Sequence, residues 1–323
     1  MSGEAALRFE CFGGSATIHV GGSADSQSAE GASAQARDRL LEVHGRLSRF
    51  ERDSDLCRLN RSPEATVGAS LLMRRFAQAV REAARRSGGL VDATRLDSLE
   101  RAGYRESMTG REPLSLEAAL AAAPPRRPAS PHPGQRWRMT EVDEAAGIVL
   151  RPPGLRLDSG GIAKGLAADL VAAGLEAHQT FAVDCAGDVR IGGAAGLPRT
   201  VLVDDPFGGE PLHEMQIRRG AVATSGIGRR AWLRPDGRPG HHLIDPGSGE
   251  PAFTGVVQVT ALAPTALLAE VLAKTALLRG PREARRHLPY GGVVVLEDRS
   301  LLLAPRQAAS CAVRVPHEPA VAR

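Results

Sequence analysis

The chain has 323 residues, of which 42% are hydrophobic, enough to bury the core of one large domain or of two closely packed lobes. No stretch approaches the roughly eighteen uninterrupted apolar residues of a membrane span, and residues 1–12 lack the apolar run of a signal peptide, so we predict a cytoplasmic protein without membrane contact. The net charge of +4 arises from scattered basic residues interspersed with acidic ones, and only 3% of the residues are aromatic, which argues against nucleic-acid binding.

The first half of the chain is predicted to contain one strand and three helices. Leu40, Val43 and Leu47 give the first helix a core face, and arginines lie between the apolar residues of the second. The predicted elements are a strand at 16–20, a loop at 21–33, helices at 34–50, 70–86 and 114–123, and an exposed Pro-rich loop at 124–134.

The second half is predicted to contain strands flanked by two longer helices. The predicted elements are paired strands within 137–157, a helix at 162–173, strands at 180–191, 200–204 and 214–218, a helix at 265–278, and strands at 292–296 and 300–303. Helices and strands are segregated more than they alternate, which favours an α+β fold over a doubly wound sheet. We expect residues 1–315 to form a single domain and residues 316–323 to form a loose tail.

The four cysteines indicate neither a metal site nor a disulfide framework. They lie far apart, without the short paired spacings of zinc ligands. We therefore expect Cys11, Cys57, Cys185 and Cys311 to be buried or surface thiols.

The proportion of lysine to arginine is more informative than the total number of basic residues. Of the 41 lysines and arginines, only Lys164 and Lys274 are lysines. In an arginine-rich chain, a lysine marks a candidate position where a compact, rotatable ammonium works and a planar guanidinium does not. Chance placement of two residues is the alternative.

Residues 158–165 read Asp-Ser-Gly-Gly-Ile-Ala-Lys-Gly and are predicted to lead from a strand into a helix. Gly160 and Gly161 let the backbone approach a ligand closely, and the first amides of the helix can bind an anionic group. A Gly-Gly turn alone more often serves chain reversal, but the flanking Asp158 and Lys164 strengthen the interpretation as a ligand site.

Two further segments place small and polar residues at predicted turns. Residues 181–188 end in two carboxylates where a strand exits, and the Ala-Thr-Ser-Gly run at 223–226 is followed by a polar stretch that reaches His242 and Asp245. Hydroxyl, imidazole and carboxylate groups suit hydrogen bonding to phosphate, ribose and a flavin ring edge. His242 and Asp245 could equally be a structural pair that pins a turn.

The last predicted helix carries Glu270 and Lys274 four residues apart, so both side chains project from one face. Glu before Lys is also the ordinary order of a surface salt bridge on a helix.

Taken together, these segments resemble the FAD:protein FMN transferase family, also known for thiamine-biosynthesis-associated lipoproteins. The resemblance spans nearly the whole chain. Its motifs are LSRFERDSDLCRLN at 47–60, the Asp-x-Thr segment at 91–99 with Gly103-Tyr104, Gly-Gly-Ile-Ala-Lys-Gly at 160–165, Cys-Ala-Gly-Asp at 185–188, Ala-Thr-Ser-Gly at 223–226 and His-x-x-Asp-Pro at 242–246. The resemblance implies an ApbE-like, T-fold-related α+β fold, with mixed, largely antiparallel sheets flanked by helices in two closely packed lobes.

The resemblance also implies a reaction, in which FMN passes from FAD to a Ser or Thr hydroxyl of an acceptor protein, AMP is released and magnesium assists. The implied partners are FAD and an acceptor protein with a Ser/Thr flavinylation motif. For this reaction we predict His242, Asp245 and Lys274 as catalytic residues, and the implied metal ligands are Glu270 and the carbonyl of Gly161. The implied FAD-binding residues are Phe50, Asp158, Gly160, Lys164, Asp188, Thr224, Ser225, Gly226 and His242.

The sequence departs from the family pattern at two places. The family holds magnesium with an Asp and a Thr one helical turn apart, where this chain has Glu270 and Lys274. A charged ammonium has no acceptor, so Lys274 cannot coordinate the ion; either it replaces part of the metal's charge near the pyrophosphate, or it forms a plain helix salt bridge. Gly228 stands where many members carry a Tyr, so we expect one aromatic neighbour of the flavin to be missing.

Two alternatives to a transferase follow from these departures. The chain could bind FAD and leave it intact, or it could hydrolyse FAD to FMN and AMP. The loss of the Thr ligand is the main support for binding without transfer, but the retained flavin-site motifs favour the transferase.

Overall fold

An eight-stranded antiparallel sheet forms the centre of the computed structural model, which describes residues 3–24, 27–108 and 110–305. The strands, in chain order, are β1 (Glu4–Cys11), β2 (Gly14–Gly21), β3 (Thr66–Gly68), β4 (Glu141–Asp143), β5 (Ile148–Leu150), β6 (Thr180–Cys185), β7 (Asp188–Gly192), β8 (Arg199–Val203), β9 (His213–Ile217), β10 (Gly220–Gly226), β11 (Ala231–Leu233), β12 (Pro239–His241), β13 (Val256–Ala263), β14 (Gly292–Leu296) and β15 (Leu301–Ala304).

The central sheet has the strand order β1-β2-β6-β7-β10-β13-β14-β15, with every neighbouring pair antiparallel. Three smaller antiparallel sheets surround it: β3-β5-β4, β8-β9 and β11-β12. The prediction of an α+β fold with largely antiparallel sheets is therefore confirmed.

Seven α-helices lie within the described ranges. They are α1 (Ala29–Leu47), α2 (Asp55–Arg61), α3 (Leu71–Arg86), α4 (Leu96–Arg101), α5 (Leu116–Ala121), α6 (Ala163–Ala172) and α7 (Ala266–Arg279), with short 3-10 helices at Ala93–Arg95, Arg136–Met139 and Ala284–His287. None of the described helices is long and apolar enough to cross a bilayer. The cytoplasmic location stays a prediction.

Three helices, α1, α6 and α7, cover one face of the central sheet. Helix α1 packs on β1 and β2, α6 on β6 and β7, and α7 on β10 and β13, and α6 touches both α1 and α7. The opposite face carries the β8-β9 hairpin, so that Val222 of β10 packs with Met215 and Ile217, while its neighbours Ala221 and Ala223 face the helices. The core is therefore layered as helices, sheet and hairpin.

Several predicted boundaries were wrong. Helix α1 begins within the predicted loop because the Ser28 hydroxyl accepts a hydrogen bond from Gly31 N (3.1 Å) and Ala29 and Ala32 are buried. It ends at Leu47 rather than 50. Strand β13 was not predicted, because its residues are nearly all buried on both faces and show no alternation.

Other predictions held in part. Within 137–157 only the short β4 and β5 are strands, and residues 136–139 form a 3-10 helix. Residues 180–191 form the β6-β7 hairpin. The division into a domain at 1–315 and a tail at 316–323 stays a prediction, since the tail and Cys311 lie outside the described residues.

The contact between α6 and α7 depends on Gly165. A Cβ at this position would lie 2.6 Å from the carbonyl oxygen of Ala266 and 2.7 Å from Cα of Leu267, so only glycine lets the two helices approach this closely. The same approach lets Gly165 N donate to Glu270 Oε2 (3.0 Å). The packing of α6 on α7 therefore sets the position of Glu270.

We expect Gly165→Ala to lower the free energy of unfolding by roughly 1–3 kcal/mol, because the added methyl forces two backbones apart. Gly45→Ala is the matched control, since Gly45 lies within α1 and a Cβ there meets nothing within 4 Å. Helix propensity should make that variant about 0.5–1 kcal/mol more stable than wild type. Urea denaturation of the three proteins measures both changes, and equal effects at the two glycines would contradict the role of the helix contact.

Candidate active site

A single large cleft of about 1920 Å³ gathers most of the residues singled out in the sequence. Pockets for small molecules usually measure roughly 300–1,000 Å³, so this cleft can take a long ligand. The cleft is lined by the following predicted site residues: Phe50, Asp158, Gly160, Gly161, Lys164, Thr224, Ser225, Gly226, His242 and Lys274. Asp188, Asp245 and Glu270 are buried behind its wall.

The loop before α6 brings Asp158 to the cleft. Asp158 Oδ2 accepts a hydrogen bond from Gly160 N (3.0 Å), and Asp158 Oδ1 lies 3.2 Å from Arg49 Nε. Burial raises the pKa of Asp158 above its usual value despite the opposing charge of Arg49. The segment enters α6 from an extended loop rather than from the predicted strand.

The first lysine stands one residue inside α6. Lys164 Nζ lies 2.8 Å from Asp188 Oδ2, at the start of β7. Burial alone would lower the pKa of Lys164, but the carboxylates of Asp188 and Glu270 raise it above its usual value. Burial also raises the pKa of Asp188 to about 7. Asp188 is fully buried, so in this arrangement it holds Lys164 rather than a ligand.

The turn between β6 and β7 places Asp188. Ala186 and Gly187 adopt left-handed backbone conformations, with φ of 53° and 95°. Asp184 Oδ1 accepts a hydrogen bond from Gly187 N (2.8 Å), which closes the turn. Asp188 then pairs with Ala223 of β10 in the middle of the sheet.

The second lysine lies on α7. Lys274 Nζ donates to Glu270 Oε1 (2.8 Å), and Glu270 Oε2 accepts from Gly165 N (3.0 Å). Glu270 has no solvent exposure. Burial alone would raise the pKa of Glu270, but the ammonium groups of Lys274 and Lys164 hold it below its usual value. Both lysines therefore act on one buried carboxylate.

Lys274 also reaches the glycine turn before α6. Its Cε lies 3.8 Å from the position that a Cβ on Gly161 would occupy. The neighbouring Thr275 is buried, and its hydroxyl donates to Val271 O (2.7 Å), within its own helix. The position beside Gly161 is therefore next to an ammonium group.

A row of aromatic rings forms another part of the cleft. Phe50 is 40% exposed and its ring centre lies 5.7 Å from that of Tyr104, which lies 5.5 Å from that of Trp232. The guanidinium of Arg49 lies 4.1 Å from the Phe50 ring and 4.4 Å from the Tyr104 ring. At Gly228, in contrast, the three atoms nearest to an added Cβ all belong to the Leu116 side chain. Trp232 thus supplies an aromatic group to the cleft four residues after Gly228.

Thr224, Ser225 and Gly226 were predicted to form a turn, but they are the last residues of β10, paired with β13. The hydroxyls of Thr224 and Thr260 lie 2.8 Å apart across the two strands. The three residues face the cleft because β10 ends there. A run of small residues at the end of a buried strand gives the same sequence signal as a turn.

His242 and Asp245 occupy different environments. His242 lines the cleft, and its Nδ1 is buried without a hydrogen-bond partner among the described residues. Burial and the charge of Arg230 lower the pKa of His242 well below its usual value. The imidazole is therefore neutral, with one ring nitrogen free of a proton.

Asp245 is fully engaged in a turn. Its Oδ1 accepts hydrogen bonds from Ser130 N (2.9 Å) and Gly247 N (3.1 Å), and its Oδ2 accepts from the Ser248 hydroxyl (2.6 Å). The structure does not bring Asp245 to the cleft with His242. The arrangement matches the turn-pinning alternative for Asp245.

The cleft residues that were not identified as site residues from the sequence include Arg49, Tyr104, Arg230 and Trp232. Arg49 immediately precedes Phe50, and Tyr104 lies in a motif of the resemblance, so both carried a signal. Arg230 donates to Phe12 O (2.9 Å), and Trp232 donates from Nε1 to Ala102 O (2.7 Å). Neither has a distinguishing sequence pattern.

The chain is similar to known proteins. The family model described as "ApbE family" matches residues 12–295. The FAD:protein FMN transferase of Treponema pallidum is 36% identical over 147 residues, which cover 41% of this chain and 40% of that protein. The FAD:protein FMN transferase of Vibrio cholerae is 28% identical over 257 residues, which cover 75% of this chain and 72% of that protein.

A solved structure shares the fold along almost the whole chain. The crystal structure of the ApbE protein from Thermotoga maritima superimposes with a TM-score of 0.76 and 26% sequence identity, covering 94% of this chain and 97% of the other. The family model spans the segments that build the cleft, from the turn after β1 to β14. The chain therefore belongs to the ApbE family.

Proposed function

We propose that this protein transfers FMN from FAD to a Ser or Thr hydroxyl of an acceptor protein and releases AMP. The observation that carries the proposal is the meeting, in one cleft, of two ammonium groups at the start of α6 with a row of aromatic rings. A dinucleotide with a pyrophosphate centre and flat ring systems at its ends matches such a distribution of charge and aromatic surface. The names of the related proteins support the same reaction.

The pyrophosphate of FAD would lie at the start of α6. Lys164 and Lys274 lie there beside the glycine turn, and the first amides of a helix attract anions. The isoalloxazine or the adenine would lie against Phe50, Tyr104 and Trp232, which offer flat apolar surface for stacking. The end of β10, with Thr224 and Ser225, would offer hydroxyl groups to the ring edge or the ribityl chain.

The transfer step breaks one phosphoanhydride bond. The acceptor hydroxyl oxygen forms a bond to the FMN phosphorus, while the bond from that phosphorus to the bridging oxygen breaks and AMP leaves with that oxygen. The hydroxyl proton passes to a base, and the neutral imidazole of His242 is the base in our proposal. The anionic pyrophosphate would offset the charges of Arg230 and the two lysines, which makes the imidazole more basic when FAD is bound.

The residues present do not fit a magnesium ion beside Gly161. Magnesium requires oxygen ligands in near-octahedral geometry. Both oxygens of Glu270 already accept hydrogen bonds, and the Lys274 ammonium adjoins the glycine turn. No cluster of three or more His, Cys, Asp or Glu suitable for a metal occurs in the described parts of the chain. We therefore assign no step to a metal.

The presence of Lys274 beside Gly161 also favours a second candidate, an FAD-binding protein that leaves FAD intact. An ammonium neutralises charge but lacks the Lewis acidity of a metal, so binding could persist where the chemistry is slow. The two candidates differ in their products.

Purified protein, FAD and an acceptor domain with a Ser/Thr flavinylation motif distinguish them. We expect the acceptor to gain the mass of FMN and AMP to appear in equal amount, as read by mass spectrometry and chromatography. An acceptor with its target hydroxyl residue replaced by Ala or Val is the control and should stay unmodified. Bound, intact FAD without AMP would favour the second candidate, and free FMN with AMP would show hydrolysis instead.

We expect Phe50→Ala to weaken FAD binding roughly 2- to 12-fold, because stacking on an aromatic ring contributes about 0.5–1.5 kcal/mol. Leu41→Ala is the matched control: Leu41 is 39% exposed, close to the 40% of Phe50, but lies on α1 away from the cleft. Quenching of flavin fluorescence measures both affinities. An unchanged affinity for Phe50→Ala would remove this ring from the FAD site.

We expect His242→Gln to slow transfer roughly a hundredfold or more, as loss of a general base does, and to leave the melting temperature near that of wild type. Asp245→Asn should do the reverse, lowering stability by about 1–3 kcal/mol through its turn while the folded protein keeps most of its activity. Single-turnover transfer rates and thermal melts separate the two effects. A slow but fully stable Asp245→Asn protein would restore Asp245 as the base.

A further inference from the structure

The two lysines of the chain form one cluster with two buried carboxylates. Lys164 lies 2.8 Å from Asp188, and Lys274 lies 2.8 Å from Glu270. The two pairs lie side by side, because Gly165, the residue after Lys164, donates its N–H to Glu270 Oε2 (3.0 Å). Both carboxylates have no solvent exposure, whereas both ammonium groups reach the cleft wall.

We infer that these two ammonium groups replace a divalent metal, so that the protein binds the FAD pyrophosphate and transfers FMN without magnesium. The inference rests on the proposed function and concerns the means by which the same site holds its substrate. It assigns Lys274 as the charge that faces the pyrophosphate beside Gly161 and Lys164 as the charge at the start of α6.

The geometry accounts for the choice of lysine. Glu270 is held at a fixed position by Gly165 N on one oxygen, which leaves its other oxygen to orient Lys274. A buried ammonium with one carboxylate partner keeps N–H groups free, and an ammonium has three donors in all. Those remaining donors can point to phosphate oxygens. An arginine at this place would present a planar fork, which suits a bidentate partner rather than two phosphates and a carboxylate at once.

The charge at the cleft wall supports the same conclusion. His242 responds to Lys274, Lys164 and Arg230, all of which lower its pKa in addition to burial. Asp158 likewise responds to Arg49, Arg230 and Lys274. Positive charge from four separate segments, those of Arg49, Lys164, Arg230 and Lys274, therefore lines the cleft where the pyrophosphate would lie. A divalent cation added beside Lys274 would meet like charge and few free oxygens.

The atoms and charges of the transfer step balance without a metal. The hydroxyl oxygen bonds to the FMN phosphorus, the bond to the bridging oxygen breaks, and AMP leaves as a phosphate monoester. The charge that builds on the bridging and non-bridging oxygens is stabilised by N–H donors of the two lysines, and the hydroxyl proton goes to His242.

The test compares FAD binding by the full chain in EDTA and in magnesium, measured by calorimetry or by flavin fluorescence. We expect wild-type affinities that agree within about twofold, and we expect magnesium alone to leave the melting temperature unchanged. Wild-type affinity that falls about tenfold or more in EDTA and returns with magnesium would overturn the inference. The proposed function would then still stand, because FAD would bind and transfer could proceed with metal.

Lys274→Thr provides a second arm that does not depend on transfer. This variant removes the ammonium and places a hydroxyl one helical turn from the freed Glu270 oxygen, so we expect FAD affinity to fall about tenfold in EDTA and to recover with magnesium. The matched control is Lys274→Met with Glu270→Gln, which removes both charges without leaving a buried carboxylate unpaired. The control should bind FAD weakly in both buffers.

The outcomes separate the two proposals. Equal binding with and without metal, together with FMN transfer in EDTA, supports both. Equal binding without any transfer retains the metal-free FAD site and removes the transferase. Failure of the folded wild type to bind FAD in either buffer overturns both, and magnesium rescue of the Lys274→Met, Glu270→Gln protein would contradict the role assigned to Lys274.

Discussion

The rest of the site depends on the interactions of the buried Glu270 carboxylate. It joins the start of α6, through Gly165 N, to the ammonium of Lys274 on α7. Removing a carboxylate from water costs several kcal/mol per ion unless partners compensate it. Here an amide and two ammonium groups do so, and the pKa of Glu270 stays below its usual value. The glycine at 165 is what brings these partners within reach, since any larger residue would separate the helices.

The second ion pair, Lys164 with Asp188, also joins an ammonium group to a buried carboxylate, in this case one on the central sheet. Asp188 sits in the fully buried start of β7 because the β6-β7 turn places it there. A buried carboxylate needs a nearby cation, and the cation in turn is held where α6 begins. The two pairs thus anchor one helix start to a strand and to a neighbouring helix. The position of the two ammonium groups at the cleft is set by carboxylates that are buried behind the cleft lining.

The sequence singles out residues of the Lys164–Lys274 cluster but not the whole cleft. Lys164 and Lys274 could each be predicted as site residues because they are the only lysines and each lies in a motif with other polar residues. Trp232 could not be predicted, because it meets Tyr104 only after distant segments fold together. Strand β13 was missed since burial on both faces removes the alternation that indicates a strand. Asp245 lies in a turn away from the cleft lining, and a carboxylate after a histidine looks the same in sequence whether it meets a ligand or closes a turn.

In our proposal an ammonium group takes the place of a metal ion, and the two differ in charge and in how the protein holds them. A divalent ion carries two charges and can be removed by a chelator, whereas Lys274 carries one charge that is tethered to α7 and oriented by Glu270. A tethered donor does not have to bind from solution, but its single charge attracts phosphate oxygens less strongly than a divalent ion does. More of the stabilisation must therefore come from Lys164, Arg230 and the helix amides. Each of these groups is held by a protein partner: Asp188, the Phe12 carbonyl and α6 itself. A site of this kind depends on its fold where a metal site depends on its ion, which is why the packing of Gly165 on α7 matters for the chemistry as well as for stability.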